Sequence, residues 1–418
     1  MPGRLTELLS RPTRFLWREP AFSTHAILIL ALGIGATSAV FSLVQGTLLA
    51  PPPYTEPERV VLVTPRAANQ SGVVQFGAWP IDQWREWQRS ATSLDAVAAY
   101  GWTFNFLVQQ DGSESEEGMV VSPQYFDVTG LRAALGRTFV DDDSAGAQTS
   151  TIILGHDLWE RQFRSDPQII GKTIRMSRDA PRTVVGVMPP GVRFLPVPGV
   201  AGEPNYNPNA KVDYWVPIAR DIPTERRPFA FANVAARLRP GATPSEAQAE
   251  LAVITGRLAQ ATPSLAKITA EVEPLISVVN ADGRRILFPL MAAAGLVLLI
   301  SCGNAAALLL VRGLQRRHEY GVRGAIGANR TALFKQAISD CLLLASIGGV
   351  VGVGLGIVIV ELFKRIASHA IPRLDAVTIG WPIVGFGVVA ALVACGLAGL
   401  FPAWRASRMD PIEALRDT

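Results

Sequence analysis

Charged residues are scarce in this sequence of 418 residues: they make up 18% of the chain, whereas 49% of it is hydrophobic. Soluble domains carry about 25% charged residues. The mean hydropathy of +0.25 is high for a soluble protein. With 39 lysines and arginines against 35 acidic residues, the net charge is only +4, too small to indicate a nucleic-acid groove. This composition excludes a purely soluble enzyme, a disordered chain and a nucleic-acid-binding protein.

Cysteine is almost absent, and its three copies all lie in long apolar runs: Cys302, Cys341 and Cys395. The region 51–284 has none, so a domain built there must fold without disulfides and needs an apolar core of its own. No thiol site is predicted. Four tryptophans of this region are predicted to be core residues rather than a ligand surface: Trp79, Trp84, Trp87 and Trp102.

Four long runs contain no charged residue: 26–55, 286–311, 341–360 and 376–404. A helix needs about 20 apolar residues to cross a hydrocarbon core of about 30 Å, and each run is long enough. The first run follows a basic segment and is longer than the apolar part of a secretory signal, which favours a retained anchor. We therefore predict four transmembrane helices, at residues 26–50, 285–311, 336–361 and 379–404.

Basic residues distinguish the two sides of the membrane. They make up about one residue in five in the segments 1–25, 312–335 and 405–418, but about one in ten between 50 and 285. Positively charged flanks stay in the cytoplasm. We therefore predict that both termini and the loop 312–335 are cytoplasmic. The large region 51–284 and a short loop, 362–378, are predicted to be external.

The external region is too long for a loop and mixes strand-like with helix-like segments, which predicts a folded α+β domain. Thr243 and Glu246 have capping-box spacing around Pro244, so a helix should follow to about Ala261. The predicted fold is a membrane protein with four transmembrane α-helices and a large α+β extracytoplasmic domain inserted between the first and second helix. Strands are predicted at 59–64, 184–187 and 232–238, with a hairpin of long turn between 104–109 and 118–121.

Glycines at steps of four residues follow one face of the third predicted span: Gly348, Gly352 and Gly356. The first span carries a similar stripe: Ala31, Gly35 and Ala39. Stripes of small residues allow another helix backbone to approach closely. The glycine stripe is therefore a candidate packing surface, either for a second copy or for a helix of the same chain.

Catalytic and metal-binding motifs are incomplete. Gly171–Thr173 imitates the end of a phosphate-binding loop, but Asp166 occupies the position that requires glycine. A zinc-protease pattern begins at His318 and fails at Val322. The run Asp141–Asp143 lacks the alternate spacing of a calcium loop and favours a solvated turn. We therefore predict no catalytic residue, no metal site and no cofactor bound by this chain. A membrane-anchored enzyme has only the aspartate run in its favour.

The cytoplasmic loop mixes charged residues with glycines between Arg316 and Arg330. This mixture suits a short helix and turn that docks on another protein, and equally a basic loop beside the membrane. The four uncharged runs hold no Asp, Glu, Lys or Arg, which argues against an ion-coupled carrier. Any transport by this chain would therefore take its energy from a partner.

At this loop the sequence resembles the MacB/FtsX-like ABC transporter permeases, whose pattern is roughly Arg-Arg-x-Glu-Ile-Gly-x-Arg-x-Ala-x-Gly-Ala. The matching residues are Arg316, Arg317, Glu319, Gly321, Arg323, Ala325, Gly327 and Ala328. Tyr320 departs from the pattern. The tail is similar to the terminal signature of the family at Arg405, Arg408, Asp410, Pro411, Glu413, Leu415 and Arg416. The opening 30–54 resembles the duplicated permeases of the acidobacterial type. The family's periplasmic core domain is resembled at 121–126, 135–139, 170–174 and 184–189.

This resemblance implies a permease that transmits motion from a separate ABC ATPase subunit, which uses the ATP and docks on the 312–335 loop. It implies a homodimer or heterodimer in the lipid of the inner membrane, with a periplasmic adaptor or an outer-membrane channel as further partners. The duplicated permeases are about twice as long, so this chain is alternatively one half of a longer permease. The family also includes regulators that activate a cell-wall hydrolase and export nothing.

Overall fold

The structure is a computed structural model with two compact units, Met1–Ala50 with Gly283–Thr418, and Pro51–Asp282. It describes residues 20–50, 52–67, 79–109, 112–146, 149–176, 181–196, 211–221, 231–261, 268–315, 330–366, 377 and 380–407. The helices in these residues are α1 (Pro20–Val44), α2 (Ile81–Ser90), α3 (Tyr125–Thr129), α4 (His156–Phe163), α5 (Pro244–Ala261), α6 (Leu275–Gln315), α7 (Arg330–Ile366) and α8 (Trp381–Ser407).

Long apolar helices form the first unit. Three segments are long and apolar enough to cross a bilayer, with 30, 30 and 29 residues: Pro20–Leu49, Gly283–Arg312 and Ile338–Ile366. They belong to α1 with its extension, to α6 and to α7. The fourth helix, α8, contains a shorter apolar stretch, Trp381–Leu397. The described residues therefore hold three candidate spans and one shorter apolar helix, where the sequence predicts four spans.

The helices extend beyond the predicted spans at their N-terminal ends. α1 begins at Pro20 rather than 26, α6 at Leu275 rather than 285, and α7 at Arg330 rather than 336. Hydropathy reports which residues are apolar, whereas backbone hydrogen bonding continues a helix through polar residues. A π-helical turn, Gln45–Leu49, follows α1, and no sequence signal predicts it.

A mixed sheet forms the centre of the second unit. Its eleven strands in the described residues are β1 (Val60–Ala67), β2 (Trp79–Pro80), β3 (Leu94–Gln109), β4 (Gly112–Val121), β5 (Leu135–Gly136), β6 (Thr151–Leu154), β7 (Thr173–Ile174), β8 (Arg182–Val187), β9 (Tyr214–Pro217), β10 (Phe231–Leu238) and β11 (Ile268–Pro274). Their order is β11-β1-β10-β3-β4-β9-β6-β8-β5, with β2 beside β10 and β7 beside β8. The β4–β9 and β6–β8 pairs are parallel and the others are antiparallel. The predicted strands at 59–64, 184–187 and 232–238 fall in β1, β8 and β10.

The β3–β4 hairpin is tighter than predicted. Gln109 pairs with Gly112, so only two residues join the strands, and β4 begins at Gly112 rather than at 118. The prediction of a long turn was therefore wrong. Residues 113–117 are polar and were assigned to the turn, but ladder hydrogen bonds use backbone groups that every one of these residues possesses.

The helix predicted after Thr243 is confirmed as α5. The backbone N–H of Thr243 donates to Glu246 Oε2 at 2.8 Å, and the N–H of Glu246 donates to Thr243 Oγ1 at 3.3 Å. These reciprocal bonds form the predicted capping box. Pro244 occupies the first helical position, where its missing N–H costs nothing.

Alternate residues of β1, β3 and β10 face two cores on opposite sides of the sheet. Leu62 faces the core that includes α3, and Val63 faces the core that includes α2 and α5. A smaller core lies between β6, β8, β9 and α4. Trp79, Trp84 and Trp87 are buried in the core with α2, as predicted, whereas Trp102 is exposed and that prediction was wrong.

Candidate functional site

The glycine stripe of α7 contacts α1 of the same chain. A Cβ added at Gly352 would lie 2.9 Å from the carbonyl oxygen of Ala31. A Cβ added at Gly356 would lie 3.1 Å from the carbonyl oxygen of Gly35. A backbone oxygen at such a distance moves only if its whole helix moves, so these positions accept little beyond glycine. We define the α1–α7 interface by Gly348, Gly352, Gly356, Ala31, Gly35 and Ala39.

The contact is equally close from the side of α1. A Cβ added at Gly35 would lie 2.8 Å from the carbonyl oxygen of Gly352, and one added at Gly348 would lie 3.0 Å from Leu30 Cβ. On another face of α7, a Cβ added at Gly354 would meet no atom within 4 Å among the described residues. The two small-residue stripes therefore face each other within one chain. The sequence left two packing partners open for this surface, a second copy or a helix of the same chain. The structure shows a helix of the same chain, α1, packed there.

α1 is the central helix of the first unit. A Cβ added at Gly33 would lie 2.7 Å from Ser301 Oγ of α6. Phe41 stacks on Phe386 of α8, with ring centroids 4.3 Å apart. The apolar window of α1 is 67% buried, against 22% for that of α6 and 39% for that of α7. α1 therefore contacts α6, α7 and α8. The chain also passes from α1, through Gln45–Leu49, into the second unit.

A buried charged group joins β4, α4 and the residue before β9 in the second unit. Glu116 is fully buried, and its Oε2 accepts a hydrogen bond from Arg161 Nη2 at 2.7 Å. Arg161 Nη2 also lies 3.7 Å from Asp213 Oδ1. Burial and the neighbouring Asp213 carboxylate raise the pKa of Glu116 from 4.5 to about 7, although Arg161 opposes the shift. Sequence reasoning missed this group because its three members come from distant segments.

We expect the stability of the protein to fall between about pH 5 and about pH 8 because of Glu116. Its folded-state pKa lies above the unfolded value, so its stabilising contribution is fully present below pH 4.5 and is lost as the pH rises through about 7. Thermal unfolding of the full chain in detergent measures this. The midpoint should be lower at the alkaline pH, and Glu116→Gln should reduce the difference.

Glu250 is the matched control for this measurement. Burial alone would raise the pKa of Glu250. Hydrogen bonds from Ser93 and Thr92 outweigh this effect and lower the pKa to about 2. Its contribution is therefore lost only in acid, as the pH falls from 4.5 towards 2. Glu250→Gln should leave the difference between the two midpoints nearly unchanged. An equal effect of both substitutions would contradict the role of Glu116.

The predicted solvated turn at Asp141–Asp143 is wrong for its last residue. Asp143 is buried and accepts hydrogen bonds from Arg137 Nη1 at 2.6 Å, Arg137 Nη2 at 3.1 Å and the backbone N–H of Val140 at 2.8 Å. Burial alone would raise the pKa of Asp143, but these hydrogen bonds outweigh it and lower the pKa. Asp143 is therefore an ion-paired structural residue. The part of the chain that the structure describes holds no group of three or more His, Cys, Asp or Glu side chains arranged for a metal.

Two family models match the chain. The model of the MacB-like periplasmic core domain matches residues 23–254, more than half of the chain, and that of the FtsX-like permease C-terminal region matches residues 291–411. The chain belongs to the MacB/FtsX-like family of ABC transporter permeases. The resemblance seen in the loop and tail is thereby confirmed. As a MacB/FtsX-like permease, the protein combines a MacB-like periplasmic domain with several apolar helices.

Relatives of this MacB/FtsX-like chain include the probable syringafactin export ATP-binding/permease protein SyfD of Pseudomonas syringae pv. tomato, 26% identical over 71% of this chain and 41% of that protein. The macrolide export ATP-binding/permease protein MacB of Neisseria gonorrhoeae is 26% identical over 71% of this chain and 42% of that protein. The uncharacterized ABC transporter permease YknZ of Bacillus subtilis is 35% identical over 29% of this chain and 30% of that protein. The chain thus spans less than half the length of the first two relatives.

Among solved structures, the periplasmic region of MacB from Actinobacillus actinomycetemcomitans is similar to this chain with a TM-score of 0.39 and 14% identity. The similarity covers 58% of this chain and 96% of that one.

The inner-loop pattern of MacB/FtsX-like permeases lies outside the described residues. α6 ends at Gln315 and α7 begins at Arg330 on either side of it. The predicted coupling residues in this gap are Arg316, Arg317, Glu319, Gly321, Arg323, Gly327 and Ala328. Arg405 of the terminal signature lies within α8, and its other members lie outside the described residues: Arg408, Asp410, Pro411, Glu413, Leu415 and Arg416. The coupling role of the inner loop stays a prediction, as does the assignment of the tail to the terminal signature.

Proposed function

We propose that this chain is the transmembrane subunit of an ABC-type exporter and transmits ATP-driven motion of a separate ATPase subunit to its periplasmic domain. The observation that carries the proposal is the α1–α7 interface. α7 begins at Arg330, within the predicted coupling loop 312–335, and its backbone packs directly on α1 at Gly352 and Gly356. α1 in turn leads into the second unit. Contact between backbones transmits displacement better than contact through flexible side chains, because fewer rotatable bonds can absorb it.

We further infer four spans in the inner membrane, with both termini and the loop 312–335 in the cytoplasm. The external domain then lies between the first and second span. Large apolar side chains exposed on α6 and α7 support lipid contact, among them Ile300, which is 62% exposed, and Val350, which is 76% exposed. The 27 residues of α8 support a fourth span in spite of its shorter apolar stretch. The distribution of basic residues supports the orientation.

The proposed cycle uses ATP only in the partner. When ATP closes the ATPase dimer, the loop 312–335 moves with it and displaces the ends of α6 and α7. The α1–α7 interface carries this displacement into α1, and α1 carries it across the membrane to the domain. The chain acts in this scheme as half of a homodimer or heterodimer. A periplasmic adaptor or an outer-membrane channel receives the substrate, and the relatives named as export proteins support this direction of transport.

A regulator is the second candidate function. The match to the FtsX-like permease region supports a protein that activates a cell-wall hydrolase through its external domain and transports nothing. The same α1–α7 interface would serve either function, because both need motion to cross the membrane. The two candidates differ in the protein that the external domain contacts and in whether a substrate is exported.

Co-expression with each ABC ATPase subunit of the same organism tests the proposal. We expect the two proteins to co-purify and the ATPase to hydrolyse ATP faster with the permease in lipid nanodiscs than alone. Co-purification of an adaptor or an outer-membrane channel would support export, and that of a hydrolase would support regulation. Failure of the ATPase to bind, or a reporter at residue 320 that is accessible from outside the cell, would overturn both.

A further inference from the structure

A groove of about 340 Å³ opens on the surface of the second unit beside α2. Four separate segments line it: α2 with Trp84, Arg85 and Arg89, the turn after β4, the turn Asp141–Ser144, and the segment after β9 that ends at Arg220. Its volume is at the lower end of the range of about 300–1,000 Å³ in which ligand pockets fall. The groove is distant in sequence from every residue assigned above to coupling.

The groove has an excess of positive charge. Three guanidinium groups line it, against the carboxylate of Asp141. Arg85 Nη1 also lies 3.9 Å from Asp82 Oδ1, which offsets part of this excess. Arg220 Nη2 donates to the backbone oxygen of Asp141 at 2.9 Å, and Arg85 Nη2 donates to the backbone oxygen of Arg220 at 2.7 Å, so two of the three are held in place. Arg89 is exposed and makes no hydrogen bond or ion pair with the described residues. The arrangement offers an anion one exposed cation and two that hydrogen bonds hold in place.

Two buried polar groups of the groove have no hydrogen-bond partner among the described residues. They are Trp84 Nε1 and Ser144 Oγ, on residues that are only 6% and 5% exposed. The neighbouring Trp79 Nε1, by contrast, donates to Val63 O at 2.8 Å. A buried donor without a partner destabilises the folded state, and most such donors in proteins are satisfied. Both atoms are themselves inaccessible to solvent, so an acceptor that enters the groove reaches either of them only if neighbouring side chains move.

We propose that this groove binds a carboxylate side chain of an acidic peptide segment, supplied by a partner protein on the same side of the membrane. Arginines bind carboxylates through paired N–H groups, so the three guanidinium groups favour a carboxylate as the ligand. The apolar side chain of Ile218 on the wall suits a peptide rather than a free phosphate, whereas Gln124 Nε2 already donates to Asp141 Oδ1 at 2.9 Å. The site requires neither transport nor an ATPase, so its failure and that of the proposed function are distinguishable.

Fluorescence anisotropy of the full chain in detergent tests the site with a labelled peptide that carries two glutamates in a glycine-serine background. We expect saturable binding that weakens as sodium chloride is raised, because the charges are solvent-accessible. Replacing both glutamates by glutamine should weaken binding roughly tenfold, the effect of losing a single charge-assisted contact. The double variant Arg89→Gln, Arg220→Gln should lose a similar factor, and Ser144→Ala should lose less.

The matched control is Arg132→Gln with Arg257→Gln, which removes two exposed positive charges of the same unit outside the groove. It should bind the glutamate peptide as the unmodified chain does. Equal binding of the glutamate and glutamine peptides, no binding of either, or an equal loss in the control variant would each overturn the proposal. So would displacement of the peptide by inorganic phosphate at the same concentration. If Arg220→Gln disturbs folding, the comparison of the two peptides and the salt dependence on the unmodified chain still decide the outcome.

Discussion

Replacing Gly352 by leucine is expected to separate α1 from α7 and to abolish stimulation of the partner ATPase. A Cβ at this position would already lie 2.9 Å from the carbonyl oxygen of Ala31 and 3.0 Å from Ile34 Cβ. The first of these atoms belongs to the backbone and moves only with α1. Overpacking of this kind costs about 1–3 kcal/mol or more. Because the contact also carries the proposed displacement, we expect coupling to fail before the chain unfolds.

Gly354→Leu is the matched control, since it adds the same atoms to the same helix where a Cβ meets nothing within 4 Å among the described residues. Scanning fluorimetry in detergent should show a lower unfolding midpoint for Gly352→Leu only. ATP hydrolysis by the co-reconstituted ATPase should return to its basal rate in that variant alone. Gly352→Ala should give an intermediate result. Equal losses at both positions would mean that helix propensity or lipid contact, rather than the α1–α7 interface, controls stability.

Replacing Glu319 and Arg323 together by alanine is expected to abolish stimulation of the ATPase while leaving membrane insertion intact. In the proposed function both residues belong to the loop that docks on the ATPase, and charge-assisted contacts of this kind are short and directional. Truncating one member of a buried charge pair at an interface costs about 2–5 kcal/mol, so two such losses should weaken docking by more than about 100-fold. Co-purification and ATP hydrolysis measure the two consequences.

Glu361→Ala with Lys364→Ala provides the control for this double substitution. Lys364 Nζ lies 3.5 Å from Glu361 Oε1, at the end of α7 remote in sequence from the loop. Partly exposed ion pairs of this kind contribute only about 0–1 kcal/mol. The control should therefore leave both binding and hydrolysis close to those of the unmodified chain. Unchanged stimulation in the Glu319 and Arg323 variant would remove the coupling role of the loop.

Sequence-based predictions were correct for structures that depend on a single segment of the chain. The capping box at Thr243 needs only residues three positions apart, and it forms as predicted. The long apolar runs likewise identified the helices, because the preference for lipid depends on each segment's own side chains. The helices extend beyond the predicted spans, as α6 does at its start at Leu275, because hydropathy does not report backbone hydrogen bonding.

The spacing of residues in the sequence did not predict groups whose members come from distant segments. Glu116 belongs to a polar run that favours a solvated turn, yet Arg161 and Asp213 enclose it after the sheet has formed. The error at Asp143 has a different reason: its partner Arg137 lies only six residues away, and the predicted turn left out the ion pair that compensates the burial of the carboxylate. The groove beside α2 combines four segments, and none of them carries a recognisable binding motif.

By itself, the order of the amino acids determined that this protein is a membrane protein with an α+β domain, and it identified the family through the loop and tail. The first property follows from the transfer of apolar segments out of water and the family from short motifs. Each depends only on residues that are close together in the sequence. Only the tertiary structure decided that the glycine stripe of α7 contacts α1 rather than a second copy, and that Glu116 is buried. Such contacts depend on which segments meet in space, and a single sequence contains no distance between them.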